Sequence, residues 1–141
     1  MARKRSKVDV LQNVWLFSAC SNKELSRIAS LVDEAEVPKG ATLTKEGATG
    51  REFFAIVDGK ATAKLRGKKI ASYGPGDIFG EMSLLDQGPR SATITADTPM
   101  HLYVLDARSF GTLIEKHPAV ARKILRVLAG RLRKAEKAPT H

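Results

Sequence analysis

The chain has 141 residues, 43% of them apolar, one cysteine and a formal net charge of +9. That length suits one domain with a core of its own, and the composition is that of a folded globular protein rather than a disordered one. No apolar run approaches the roughly eighteen residues of a membrane-spanning helix, no apolar stretch follows the basic N-terminus as in a signal peptide, and a lone Cys20 excludes an internal disulfide, so a cytoplasmic protein with Cys20 as a small buried apolar residue is expected.

The positive charge sits at the two ends. Residues 1–7 carry four cations and residues 122–137 carry seven against the single acid Glu136, which leaves residues 8–121 close to neutral. Charge of this kind reads as solvated tails and a solvated helix face more readily than as a nucleic-acid grip, so a nucleic-acid partner is not expected. Residues 1–7 and 135–141 are taken as tails around a domain spanning 8–134.

In chain order, Val10, Val14 and Phe17 fall at helical spacing, with Leu11 and Trp15 beside them, which predicts a short amphipathic helix over 8–18 with Trp15 as a packing residue. Ser21 with Glu24 three residues on forms a capping-box pair opening a second helix, whose apolar face is Leu25, Ile28, Ala29 and Val32. Pro38 and Gly40 close this helical section, taken as 8–37. From Ala41 the apolar period becomes two, predicting strands near 41–45, 53–57, 60–65, 69–73, 77–79, 91–96 and 100–105, with Asp58-Gly59 as a type I′ hairpin turn. Many short strands with frequent turns predict a mainly β fold, a double-stranded β-helix (jelly-roll) barrel over 41–105. Helical spacing then returns over 107–134. Asp106 is an N-cap candidate, Pro118 suits a helix's first turn, and Val120, Ile124, Val127, Leu128 and Leu132 form a stripe that needs an apolar surface, the barrel or a partner's helix. Gly130 weakens that last helix by roughly 1 kcal/mol relative to Ala.

Enzyme chemistry finds little support. His101, His117 and His141 are too scattered for a metal site, and GxSxG, HExxH and GxxxxGK[ST] are all absent. Gly74-Pro75-Gly76 with Gly80 misses the dinucleotide-binding spacing and lies in no βαβ unit. No catalytic residue, metal or cofactor is assigned.

Residues 79–92 carry a different chemistry. Gly80 permits a sharp turn, Glu81-Met82-Ser83-Leu84-Leu85 has the composition of one helical turn, and Arg90 returns nine residues after Glu81. Free amides at a turn's start attract an anion, and a guanidinium fork suits a phosphate. Glu81 can accept from a sugar hydroxyl, Ser91 offers a hydroxyl and an amide, and Leu84 and Leu85 would anchor the turn. A nucleotide is the ligand class these groups suit; the residues alone equally allow a surface loop in which Glu81 and Arg90 simply pair with each other.

Phe79-Gly80-Glu81-Met82-Ser83-Leu84-Leu85 with Pro89-Arg90-Ser91-Ala92-Thr93 resembles the phosphate-binding cassette of cyclic nucleotide-binding domains, and the resemblance extends over nearly the whole chain, through Gly40, Gly47, Phe54–Gly59 and the flanking helices. It implies a sensor that binds cAMP in preference to cGMP. Glu81 would take the ribose 2′-hydroxyl and Arg90 the cyclic phosphate, helped by amides around Met82, Ser83, Ser91 and Ala92. Arg131 falls where some members place an arginine over the purine. Ser83 departs from the alanine or glycine common in the family, and Ser91 from the alanine or threonine seen in its kinase members, which leaves base selectivity open. The family's usual output is a repositioned C-terminal helix, here acting on a homodimer mate or a downstream protein in a stand-alone sensor. The rival readings are a degenerate domain serving as an interaction module, and the sensor fragment of a DNA-binding transcription regulator.

Overall fold

The computed structural model describes residues 6–137. The expected tails therefore lie largely outside the described residues, as does His141. The chain forms two compact units, residues 31–111 and residues 1–30 with 112–141.

In the helical unit, α1 (Lys7–Gln12) opens on a capping box between Ser6 and Asp9. It stops at Asn13, and a separate 3-10 turn, Trp15–Phe17, replaces the rest of the helix expected to reach residue 18. Of the apolar residues that suggested a helix, Val10, Leu11, Val14 and Phe17 are buried and Trp15 is half-buried. Helix α2 (Asn22–Ala29) begins at the expected capping box, in which the Glu24 amide donates to Ser21 Oγ and the Ser21 amide to Glu24 Oε1.

The helical section predicted to run to residue 37 ends there. Residues Asp33–Val37 form β1, paired antiparallel with β8 (Met100–Asp106) from Asp33 opposite Val104 to Val37 opposite Met100. The stretch has period two: Asp33, Glu34 and Glu36 are exposed while Ala35 and Val37 pack on the β core, so tertiary pairing overrides the helical composition. His101 lies in β8 opposite Glu36, its ring bonded to Glu34.

The remaining strands follow the expected order: β2 (Thr42–Thr44), β3 (Glu52–Asp58), β4 (Ala61–Leu65), β5 (Lys68–Tyr73), β6 (Ile78–Phe79) and β7 (Thr93–Ala96). They make two four-stranded antiparallel sheets, in the orders β1-β8-β3-β6 and β2-β7-β4-β5, which is the strand order of a jelly roll. The core between inward faces is built from Phe54, Ile56, Ala61, Ala63, Phe79, Ile94 and Leu102, among others.

Asp58-Gly59 is not a hairpin turn. Strand β3 pairs with β6 and β8, β4 with β5 and β7, so the dipeptide carries the chain from one sheet to the other. Asp58 still pairs with His101, while Lys60 already bonds Thr98 and Asp97. The tight hairpin joins β4 to β5 through Arg66 and Gly67, both at positive φ (53° and 79°), as a type I′ turn requires.

After β8, α3 (Ala107–Lys116) starts with Ser109 donating its amide to Asp106, the expected cap. Helix α4 (Pro118–Lys137) begins at Pro118 and runs through Gly130. Its predicted stripe is covered only at one end: Val120 and Ile124 are buried, but Leu132 is 64% exposed; Leu125, outside the stripe, is 63% exposed.

Candidate functional site

The cassette is positioned by β6 and by the backbone of β3. Phe79, buried at the end of β6, stacks on Phe54 with ring centroids 4.9 Å apart and lies beside Tyr73 at 5.6 Å. Gly80 follows at φ 78°, a left-handed conformation that only glycine adopts cheaply. A Cβ there would come within 2.5 Å of Arg90 Nη1 and 2.8 Å of the Glu52 carbonyl oxygen. The turn is a 3-10 helix, Glu81–Leu84. Ser83 and Leu84 are buried, but Leu85 is 40% exposed and does not anchor the turn as expected. In a 3-10 turn each residue advances about 120°, so an inward Leu84 carries its neighbour outward.

Arg90 is brought back by the segment 86–90, whose backbone knits to residues 47–50: the Arg90 amide donates to the Ala48 carbonyl at 2.8 Å, and Gly47 donates to the Arg90 carbonyl at 2.9 Å. Its guanidinium then has two fixed partners. Nη1 donates to Ser83 Oγ at 2.9 Å and Nη2 to the Glu52 carbonyl oxygen at 2.8 Å. The group also lies 5.8 Å from the centroid of the Phe54 ring.

Among the described residues Arg90 forms no salt bridge, and in particular none with Glu81. The pairing of Glu81 with Arg90 that the residues alone allowed is thus not what the fold builds. Burial draws the Arg90 guanidinium's pKa below its ordinary value, and the Glu52 carboxylate nearby opposes the shift. Arg90 is a half-buried cation held by neutral acceptors, with three of its five N–H donors uncommitted among the described residues.

A cavity of about 350 Å³ opens beside it, within the range of small-molecule sites. Phe79, Gly80, Glu81, Met82, Ser83, Arg90, Ser91 and Ala92 all line it, so eight of the nine candidate site residues are brought together. The ninth, Arg131, belongs to the helical unit, where its guanidinium lies 3.7 Å above the centroid of the Trp15 ring. Of the expected amide donors, that of Ser83 is already committed to the Gly80 carbonyl at 3.0 Å, whereas the Met82 amide, at the start of the turn, donates no hydrogen bond among the described residues.

Sequence reasoning assigned no role to several lining residues. Tyr73 supplies an aromatic wall, and burial raises its phenol pKa, with Glu81 and Asp77 adding to the effect. Thr44 and Ile94 come from the sheet opposite β6, and Ile70 is an exposed apolar residue at the rim. Gly50 is close-packed: a Cβ on it would overlap Ser83 Oγ and lie 3.1 Å from Arg90 Cδ. Thr44 and Gly50 reach the cassette across long sequence separations, so local spacing carries no signal for them, except that a lone glycine before a strand marks a close approach. Among the described residues no group of His, Cys, Asp and Glu could hold a metal, and no helix is long and apolar enough to cross a membrane.

With the cassette and its cavity in view, comparison with known proteins identifies the class. The family model for the cyclic nucleotide-binding domain matches residues 34–117, and the chain belongs to that family. It is 33% identical over 124 residues to the cAMP-dependent protein kinase regulatory subunit of Colletotrichum orbiculare, a match covering 86% of this chain and 32% of that protein. It is 28% identical over 131 residues to the CRP-like cAMP-activated global transcriptional regulator of Mycobacterium tuberculosis, covering 89% of this chain and 58% of that protein. Among solved structures, the N-terminal domain of a transcriptional regulator from Streptomyces coelicolor A3(2) superposes with a TM-score of 0.85 at 33% identity, covering 94% of this chain and 99% of that one. The chain spans 32% and 58% of the length of these two curated relatives.

Proposed function

We propose that this domain is a cAMP sensor, with Arg90 binding the cyclic phosphate and Glu81 the ribose 2′-hydroxyl. The observation that carries the reading is the Arg90 guanidinium itself, half-buried, without a salt-bridged carboxylate among the described residues and fixed at the edge of a cavity that Glu81 shares. A cation left in that state is balanced by an anion arriving from outside. Charge also bears on which anion. The lining holds one cation, Arg90, against the carboxylates Glu81 and Asp86, which suits a singly charged phosphodiester better than a doubly charged monophosphate. The amide of Met82 is a further phosphate donor, with Ser91 and Ala92 at the opposite lip. The relatives named for cAMP favour cAMP over cGMP.

The output in this reading is α4, in a stand-alone sensor that acts on a homodimer mate or a downstream protein. Exposed Leu125 and Leu132 give α4 apolar surface for such a partner. Ligand shifts the helix only by its differential affinity for two helix positions. Arg131, over Trp15 in this structure, is the candidate base contact, and taking up that role means exchanging the indole for the purine. Calorimetric titration of the protein with cAMP tests the reading; absence of binding at millimolar nucleotide overturns it.

A second reading, the sensor part of a DNA-binding transcription regulator, is favoured by the fit to the Streptomyces coelicolor domain over 99% of its length. Salt-titrated binding of duplex DNA by the complete gene product separates the two, because phosphate contacts make affinity fall steeply with salt.

A further inference from the structure

We propose that the Ser83 side chain is part of the binding machinery: it positions Arg90 and presents its own hydroxyl proton to the ligand's phosphate. This rests on the cAMP-binding reading above and goes beyond it, since Ser83 was expected to act through its backbone amide, which is committed to the Gly80 carbonyl.

Three observations converge on the hydroxyl. Ser83 is 6% exposed, yet it lines the cavity. Its oxygen accepts from Arg90 Nη1 at 2.9 Å, while among the described residues no acceptor takes its own proton. Gly50 stands so close that any Cβ there would overlap this oxygen, so the backbone at Gly50 confines the hydroxyl on that side.

The chemistry follows from the inventory of a hydroxyl, one donor and two acceptor lone pairs. Accepting from a guanidinium turns the O–H away from Arg90. An oxygen polarised by a cation is also a better donor to an anion, since hydrogen bonds in a chain strengthen one another. With Ser83 Oγ on Nη1 and the Glu52 carbonyl on Nη2, the fork is held at both tips before any phosphate arrives. A fork held this way loses less side-chain freedom on binding. Alanine or glycine at position 83 supplies neither the anchor nor the donor.

The test is a double-mutant cycle of Ser83→Ala and Arg90→Ala, read by cAMP calorimetry and accompanied by side-chain NMR of the Arg90 guanidinium without nucleotide. In an otherwise intact chain, Ser83→Ala is expected to weaken cAMP roughly tenfold, as losing a hydrogen bond to a charged group does. In the Arg90→Ala background the same change should cost about threefold or less, because only the direct donation remains to be lost. The guanidinium signals, restrained in the parent protein, should average in Ser83→Ala. Parent protein that binds cAMP while Ser83→Ala binds it equally well overturns the assignment and leaves the cAMP reading standing. So does an equal loss in both backgrounds, or a guanidinium no freer in Ser83→Ala. Parent protein that takes no cAMP overturns the underlying reading and this inference with it.

Discussion

Arg90 is tied to Glu52 through the backbone: its Nη2 donates to the Glu52 carbonyl oxygen at 2.8 Å, while the Glu52 side chain makes no salt bridge with it among the described residues. The cassette arginine is thus aimed by the main chain of β3, whose position is set by pairing with β6 and β8. Its positive charge has no carboxylate in direct contact among the described residues. Truncating it should therefore harm binding far more than folding. Arg90→Ala is expected to lower cAMP affinity by roughly 2–5 kcal/mol. Arg90→Lys should recover part of the charge term but lose the fork. Calorimetry showing unchanged affinity in Arg90→Ala would mean that the phosphate sits elsewhere.

Glu81 has no protein partner among the described residues, yet lines the same cavity, which leaves its carboxylate free to accept from a hydroxyl. Glu81→Ala should weaken cAMP by about 1.5–3 kcal/mol, the range for hydrogen bonds to a charged group. The same substitution should cost a 2′-deoxy analogue much less. Equal losses for the two nucleotides would remove Glu81 from the sugar.

Gly80 is the residue on which the cassette geometry turns. Gly80→Ala forces a side chain into a left-handed conformation and places a methyl 2.8 Å from the Glu52 carbonyl oxygen. A destabilisation of about 1–3 kcal/mol is expected from the backbone strain. Nucleotide affinity should also fall, because the added carbon lies 2.5 Å from Arg90 Nη1. Urea denaturation with a midpoint unchanged from the parent would contradict the strained turn.

In the helical unit, Glu24 joins its capping box to Lys123 of α4 at 2.5 Å. The hydrogen bond from Lys123 is the main cause of a Glu24 pKa below the ordinary value, with the Ser21 amide next; burial opposes both. A carboxylate whose folded pKa is depressed stabilises the fold above its unfolded pKa, and that contribution fades as pH falls through the folded value. Stability should thus drop as pH falls below the ordinary glutamate value of about 4.3, and Glu24→Gln should flatten part of that drop. Parallel pH profiles for parent and variant would show that the pair is not linked to folding.

Much of this architecture could be read from residue order alone, and the failures share a cause. The seven strands expected from period-two patterning all exist, and the capping box at Ser21 and the cap at Asp106 form as their spacing implies. These are local signals. Strand β1 was missed because Asp33-Glu34-Ala35-Glu36 has helical composition, and only pairing with β8 draws it into a sheet. Asp58-Gly59 has the composition of a hairpin turn, but which strand pairs with which is decided across the sheets, and the tight turn falls at Arg66-Gly67 instead. The site divides the same way. Gly80, Glu81 and Arg90 were legible from spacing within one segment, whereas Gly50 and the Glu52 carbonyl enter the site from a part of the chain distant in sequence. Cys20, expected to be buried, is only partly so; what burial it has raises its thiol pKa, helped by Glu24 and opposed by Lys123.

The most direct measurement is calorimetric titration of the protein with cAMP, cGMP and AMP under one set of conditions. A single unpaired guanidinium beside two carboxylates predicts saturable binding of cAMP, weaker binding of cGMP, and binding of doubly charged AMP at least about tenfold weaker than cAMP. No heat with either cyclic nucleotide, or AMP bound as tightly as cAMP, would contradict the assignment of this cavity as a cyclic-phosphate site.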